Sequence, residues 1–110
     1  MTTEKEVRVK EGNDETLNFT LASNVVGYTL TGKSIRFVVK DHSSDLDSDA
    51  NIDYTDSPRI TVTDVALLQL RVNIPKEDLP MGGTFFYRLD VVTSGKPNTA
   101  MFGLFVVEDL

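Results

Sequence analysis

Apolar and polar residues alternate in run after run of this chain. In TLNFTL the apolar set is Leu17, Phe19 and Leu21; in SIRFVVK it is Ile35, Phe37 and Val39; in RITVTD it is Ile60 and Val62. LQLRVNIP contributes Leu68, Leu70, Val72 and Ile74, TFFYRLDVV contributes Phe85, Tyr87, Leu89 and Val91, and AMFGLFVV contributes Ala100, Phe102, Leu104 and Val106. A two-residue period is that of a strand with one face buried and the other in water. Between the runs stand turn-forming clusters: EGND at 11–14, TGKS at 31–34, DSP at 56–58, PMGG at 80–83 and SGKPN at 94–98.

Short strands separated by regular turn signals predict a sandwich or barrel. Adding an early strand over Lys5 to Lys10 and a short one over Ala50 to Tyr54 gives about eight strands, the range of an immunoglobulin-like antiparallel β-sandwich. The longest helix candidate is KEDL at 76–79, a single turn. No repeat or linker divides the chain, so residues 1–110 are expected to form one β-sandwich domain. The last two runs differ from the others in carrying apolar groups on both faces, as in FF and FVV. Phe86, Met101 and Phe105 are then the outward apolar residues and the candidate protein-interaction residues.

Composition narrows the function classes. Seventeen acidic against eleven basic residues give a formal charge of −6, and no basic cluster acts against that average, so nucleic acid is not an expected partner. No run approaches the roughly 20 apolar residues of a membrane-spanning helix. The first residues, MTTEKEVRVKEG, lack the apolar core of a secretion signal, and the chain has no cysteine. A cytosolic origin is therefore expected, and the Asn18-Phe19-Thr20 sequon is read as coincidental.

The stretch DLDSDANIDYTD, Asp45 to Asp56, places oxygen-bearing side chains at positions one, three, five, seven, nine and twelve, the ligand rhythm of an EF-hand calcium loop. It departs from that loop at three points. Ala50 stands where a glycine makes the sharp turn, Asp56 replaces the longer bidentate glutamate, and both flanks read as strands, with Pro58 against a helix downstream. The alternative is a solvated loop over Asp41 to Asp49, followed by a strand with Ala50, Ile52 and Tyr54 inward and Asn51 and Asp53 outward. That second reading is preferred, and no metal ligand or cofactor is assigned.

Catalytic chemistry finds no constellation. The single imidazole, His42, sits among small polar residues of an expected loop, without the nucleophile and orienting partner of a triad. Carboxylate pairs are available for glycosidic chemistry, but charged residues at outward strand positions need no such role, and no tryptophan offers a sugar platform. The glycines of TGKS and GGTFF match neither phosphate-binding spacing and are turn glycines. An enzyme is not expected.

The order of elements resembles the N-terminal immunoglobulin-like domains of bacteriophage baseplate and tail proteins. VKEGNDETLNFTL followed by YTLTGKSIRFVVKD is similar to their opening, with the Leu30-Thr31-Gly32 turn leading into a strand that carries Ile35, Arg36 and Phe37. DLDSDANI is similar to the acidic segment before their short strand, RITVTD to their next strand, and GGTFFYRLDVVTSGKPNTAMFGLFVVED to their closing hairpin. At Gly83, Phe85 and Tyr87 the chain follows their closing pattern, and then departs from it with Arg88 and Leu89 before Asp90. The longer baseplate proteins continue into further domains. The resemblance implies a non-enzymatic structural or adaptor module of a tailed phage or prophage particle, made in the bacterial cytoplasm and residing in the virion. Its partners would be other tail or baseplate proteins, or copies of itself. The alternative is a calcium- or carbohydrate-binding recognition module.

Overall fold

The computed structural model describes residues 3–23, 27–42 and 44–108. Nine strands follow one another: β1 (Thr3–Glu4), β2 (Val7–Lys10), β3 (Glu15–Thr20), β4 (Ser34–Lys40), β5 (Ile52–Thr55), β6 (Ile60–Asp64), β7 (Gln69–Ile74), β8 (Gly83–Thr93) and β9 (Lys96–Glu108). They form two sheets, β1/β2-β9-β8-β4-β5 and β3-β7-β6, packed face to face as an immunoglobulin-like sandwich. All pairings are antiparallel except the first: β1 and β2 run parallel to β9, with Thr3 beside Met101 and Val7 beside Phe105. Because both keep the same register, they are one edge strand interrupted at Lys5 and Glu6. Counted so, the described residues hold the eight strands expected. KEDL forms only a short 3-10 turn, Lys76–Asp78.

The alternation places the core as predicted through most of the chain. Phe19, Leu21, Ile35, Phe37, Ile60, Leu70, Val72, Ile74, Tyr87, Leu89 and Val91 are all buried between the sheets. At its centre Phe37 packs against Phe19, Tyr87 and Phe105 with ring centroids 5.9–6.2 Å apart, in tilted or edge-on arrangements. Burying side chains of this size stabilises the fold by about 1.5–3 kcal/mol each, before ordering costs.

β9 breaks the prediction. Its inward residues are Met101, Gly103, Phe105 and Val107, not Ala100, Phe102, Leu104 and Val106. A bulge is the cause. From the tight Ser94-Gly95 turn the pairing runs Thr93 with Lys96 through Asp90 with Thr99, and the next pair is Leu89 with Met101, so Ala100 has no partner. One inserted residue exchanges the two faces of everything that follows. Met101 and Phe105, expected on the surface, are therefore core residues, 3% and 0% exposed, while Phe102 and Leu104 face solvent.

The exchange also places Gly103 opposite Tyr87, where the interrupted edge strand crosses closest. The Tyr87 hydroxyl donates to the Lys5 carbonyl at 2.6 Å, and the Lys5 amide donates to the Phe102 carbonyl at 2.9 Å. Burial pushes the Tyr87 phenol up to about 12, so it remains a donor across the physiological range. Gly103 has φ +155°, and a Cβ there would run into the Lys5 carbonyl. Gly103→Ala is accordingly expected to cost about 1–3 kcal/mol by overpacking and to lower the thermal midpoint by about 4 °C or more. An unchanged midpoint in circular-dichroism melting would show that Lys5 does not hold this position.

Candidate functional site

The outer face of the larger sheet gathers most of the ion pairs among the described residues. β4 turns Arg36, Val38 and Lys40 outward, β8 turns Phe86, Arg88 and Asp90 outward, and β5 adds Asp53, each beside its neighbour in register. The segment between β4 and β5 folds back over these strands, making a 3-10 turn at Asp47–Asp49. The turn sets the Asp47 carboxylate among three cations. Arg88 grips it with two bonds, at 3.2 and 2.9 Å, Lys40 Nζ lies at 3.2 Å, and Arg36 Nη1 lies at 3.3 Å.

Each cation has a second anchor. Arg36 makes a fork to Asp53 at 2.9 and 2.7 Å, Arg88 Nε donates to Asp90 at 2.8 Å, and Lys40 Nζ donates to the Asp45 carbonyl at 2.9 Å. Asp90, nearly inaccessible, also accepts from Thr99 Oγ1 at 2.9 Å. The hydrogen bonds from Arg88, followed by those from Lys40, hold the Asp47 carboxyl well below the usual carboxylate range, at about 2. Asp53 and Asp47 in turn raise the Arg36 and Arg88 guanidinium pKa values, respectively. Beneath this strap Val38 is 0% exposed, although it points away from the sandwich core. The acidic loop is thus a third layer over half of the sheet, not a purely solvated hinge.

Three other side chains of the acidic stretch serve the backbone or a neighbouring carboxylate. Asp45 Oδ2 accepts from the His42 amide at 3.0 Å, Asp56 Oδ1 accepts from the Ile35 amide at 2.7 Å, and Asn51 Nδ2 donates to Asp41 Oδ1 at 2.8 Å. Asp45 and Asp56 thus close opposite ends of β4, while Asp47 and Asp53 lie on its outer face. Among the described residues no group of three His, Asp or Glu side chains is arranged to hold a metal ion. His42 is exposed, as expected of a loop residue.

Beyond the strap the same face is apolar. Phe86 pairs across the strands with Leu104, Arg88 with Phe102, and Thr84 with Val106. Phe102 and Leu104 are 40% and 39% exposed, and Phe86 and Val106 are half-buried. A groove of about 240 Å³ runs between this stripe and the ionic cluster, bounded by Lys40, Phe86, Arg88, Thr99, Phe102 and Gly103. Of the three interaction residues read from the sequence, only Phe86 lies on this surface. Phe102 and Leu104 take the places of Met101 and Phe105, and no local pattern announces the bulge that makes the exchange. The ionic cluster did leave a signal: Arg36, Lys40 and Arg88 occupy outward positions of two central strands next to an acidic loop.

No protein-family model matches this sequence, and no curated protein matches it. Among solved structures, the chain is similar to one in the crystal structure of the ZIG-8–RIG-5 IG1–IG1 heterodimer, at 17% identity and a TM-score of 0.45, over 96% of this chain and 82% of that one.

Asp47→Asn removes the charge that balances the buried Lys40 ammonium. The expected loss at neutral pH is about 1–2 kcal/mol, between the small value of an exposed pair and that of a buried one, because Asp47 is part-exposed and screened. Its carboxyl titrates lower in the folded chain than its ordinary 3.8, so its contribution is complete above about pH 4 and disappears as pH falls towards 2. Denaturant unfolding of both proteins should therefore show a constant gap near neutrality that closes between those values; a gap that persists at pH 2 would refute the ionic origin. Melting curves recorded in calcium and in chelator should superimpose, and a calcium-dependent rise abolished by Asp47→Asn would restore the metal-loop reading.

Proposed function

We propose that this chain is a non-enzymatic assembly module of a tailed bacteriophage or prophage particle, docking on tail or baseplate proteins through the open half of its larger sheet. The observation that carries the docking role is the stripe of Phe86, Phe102, Leu104 and Val106 on an outer face whose other half is sealed by the Asp47 strap. Apolar side chains held on a flat, hydrogen-bonded sheet lose little conformational freedom when covered, which makes such a stripe a favourable contact surface. On the side of β8 and β4 the adjoining charges are already paired with one another, so covering the stripe there strands no isolated charge.

The phage assignment draws on the resemblance of the strand order and of the Leu30-Thr31-Gly32 turn to the N-terminal domains of baseplate and tail proteins. It carries with it manufacture in the bacterial cytoplasm and residence in the virion. The fold itself is compatible with many roles, and the docking stripe supports interaction without naming the partner.

Phe102→Asp is the informative variant because Phe102 is exposed and its loss leaves the core untouched. Its thermal midpoint should stay within about 2 °C of the parent, while retention by purified particles or by tail proteins should fall at least about tenfold, the effect of removing a contact anchor. Normal incorporation of a folded Phe102→Asp variant would remove this face from the assembly.

A further inference from the structure

Among the described residues the two sheets end in four edges, β1/β2 and β5 in the larger sheet and β3 and β6 in the smaller. An edge strand carries a row of unpaired amides and carbonyls that can pair with another extended chain, and proteins block it with charge, shortness or a bulge. Three of these edges are blocked in those ways. β1/β2 is interrupted at Lys5 and Glu6 and carries Arg8 and Lys10. β5 is four residues long, with Asp53 held in an ion pair to Arg36, and β6 has a register shift between Val62 and Asp64. β3 has none of these. Its six residues, ETLNFT, follow β7 in unbroken register, and its one charge, Glu15, stands at the first position with its carboxylate accepting from the Lys10 amide at 3.0 Å.

We infer that β3 is a pairing edge and that its occupant is β3 of a second copy of this chain. Only an extended chain satisfies such a row of main-chain groups, so what selects the partner is the match of side chains across the new pair. A two-fold axis perpendicular to the sheet at Asn18 lays two β3 strands antiparallel and keeps the outward faces continuous. Thr16 then stands opposite Thr20 of the other copy and Asn18 opposite Asn18, while on the inner face Leu17 stands opposite Phe19. Polar meets polar, apolar meets apolar, and Glu15 falls beyond Thr20, opposite no charge. This matters in a chain of net charge −6, whose copies come together at low cost only where no like charges face each other. The inner side of the edge is open as well. A groove of about 300 Å³ between β2 and β3, bounded by Val7, Arg8, Leu17 and Phe19 among others, leaves Leu17 half-buried, and a strand added at β3 would cover it. The product is one continuous sheet made of β6-β7-β3 from each copy. The apolar stripe lies on the other sheet and stays free for the docking proposed above.

Sedimentation of the full chain over a range of concentrations should show a monomer–dimer equilibrium. Asn18→Lys sets like charges opposite each other at the axis and should weaken the dimer about three- to tenfold, with a thermal midpoint within about 4 °C of the parent because Asn18 is exposed. Phe102→Asp, on the other sheet, should leave the equilibrium where it was. The chain has no cysteine, so a single introduced thiol reports directly. Under mild oxidation Asn18→Cys should form disulfide-linked dimers, because residues facing each other across an antiparallel pair hold their Cβ atoms about 4.5–5.5 Å apart. Thr61→Cys, exposed on the β6 edge, should not. A chain that stays monomeric, a dimer unmoved by Asn18→Lys, or equal cross-linking at both cysteines would overturn pairing through β3. A dimer lost in Phe102→Asp would overturn it too and move self-association to the apolar stripe.

Discussion

The parity of β9 governs this molecule. Its sequence offers apolar side chains at consecutive positions, and a strand can bury only every second one. Without the unpaired Ala100, the pairing set by the Ser94-Gly95 turn would carry Ala100, Phe102, Leu104 and Val106 into the core. With it, Phe105 completes the aromatic cluster around Phe37, and Gly103 comes to the point where Lys5 passes. The hydrogen bond from Tyr87, the close passage of the edge strand and the solvent-facing stripe all follow from that single inserted residue.

The two halves of the larger sheet's outer face solve the same problem differently. On β4 and β5 the strands present cations, and an acidic loop lies over them, so that Val38 is covered by the chain's own charge pairing. On β8 and β9 the strands present hydrocarbon with no covering segment among the described residues. The ionic half is self-sufficient, whereas the apolar half gains from being covered. An ion-paired region beside a bare one directs any docking to a defined place, because Lys40 and Arg88, both held by Asp47, bound one side of the groove.

Strand-by-strand alternation made the architecture and most of the core legible in the sequence. Leu68, Leu70, Val72 and Ile74, for example, follow the two-residue rhythm without interruption and are all buried. Two features were not legible, for different reasons. The face of Phe102 against that of Phe105 is decided by a bulge within a hairpin, a long-range matter of which residue stays unpaired, and both faces are apolar enough to be core. The role of Asp47 depends on a loop folding back over strands distant in sequence from one of its partners, Arg88, so spacing within the acidic stretch carried no information about it. The same twelve residues that mimic a calcium loop by rhythm are divided in space between a strap, a strand and a turn.

The parallel course of β2 and β9 has a mechanical meaning. Tension applied across the two ends of the fold would draw β2 towards its start and β9 towards its finish, which are opposite directions along neighbouring strands. The hydrogen bonds between Val7–Lys10 and Phe105–Glu108 would then be loaded together in shear, not opened one after another as in a peeled antiparallel pair. A sandwich closed in this way resists being pulled apart by more than its equilibrium stability alone would indicate, a useful property for any component through which force is transmitted.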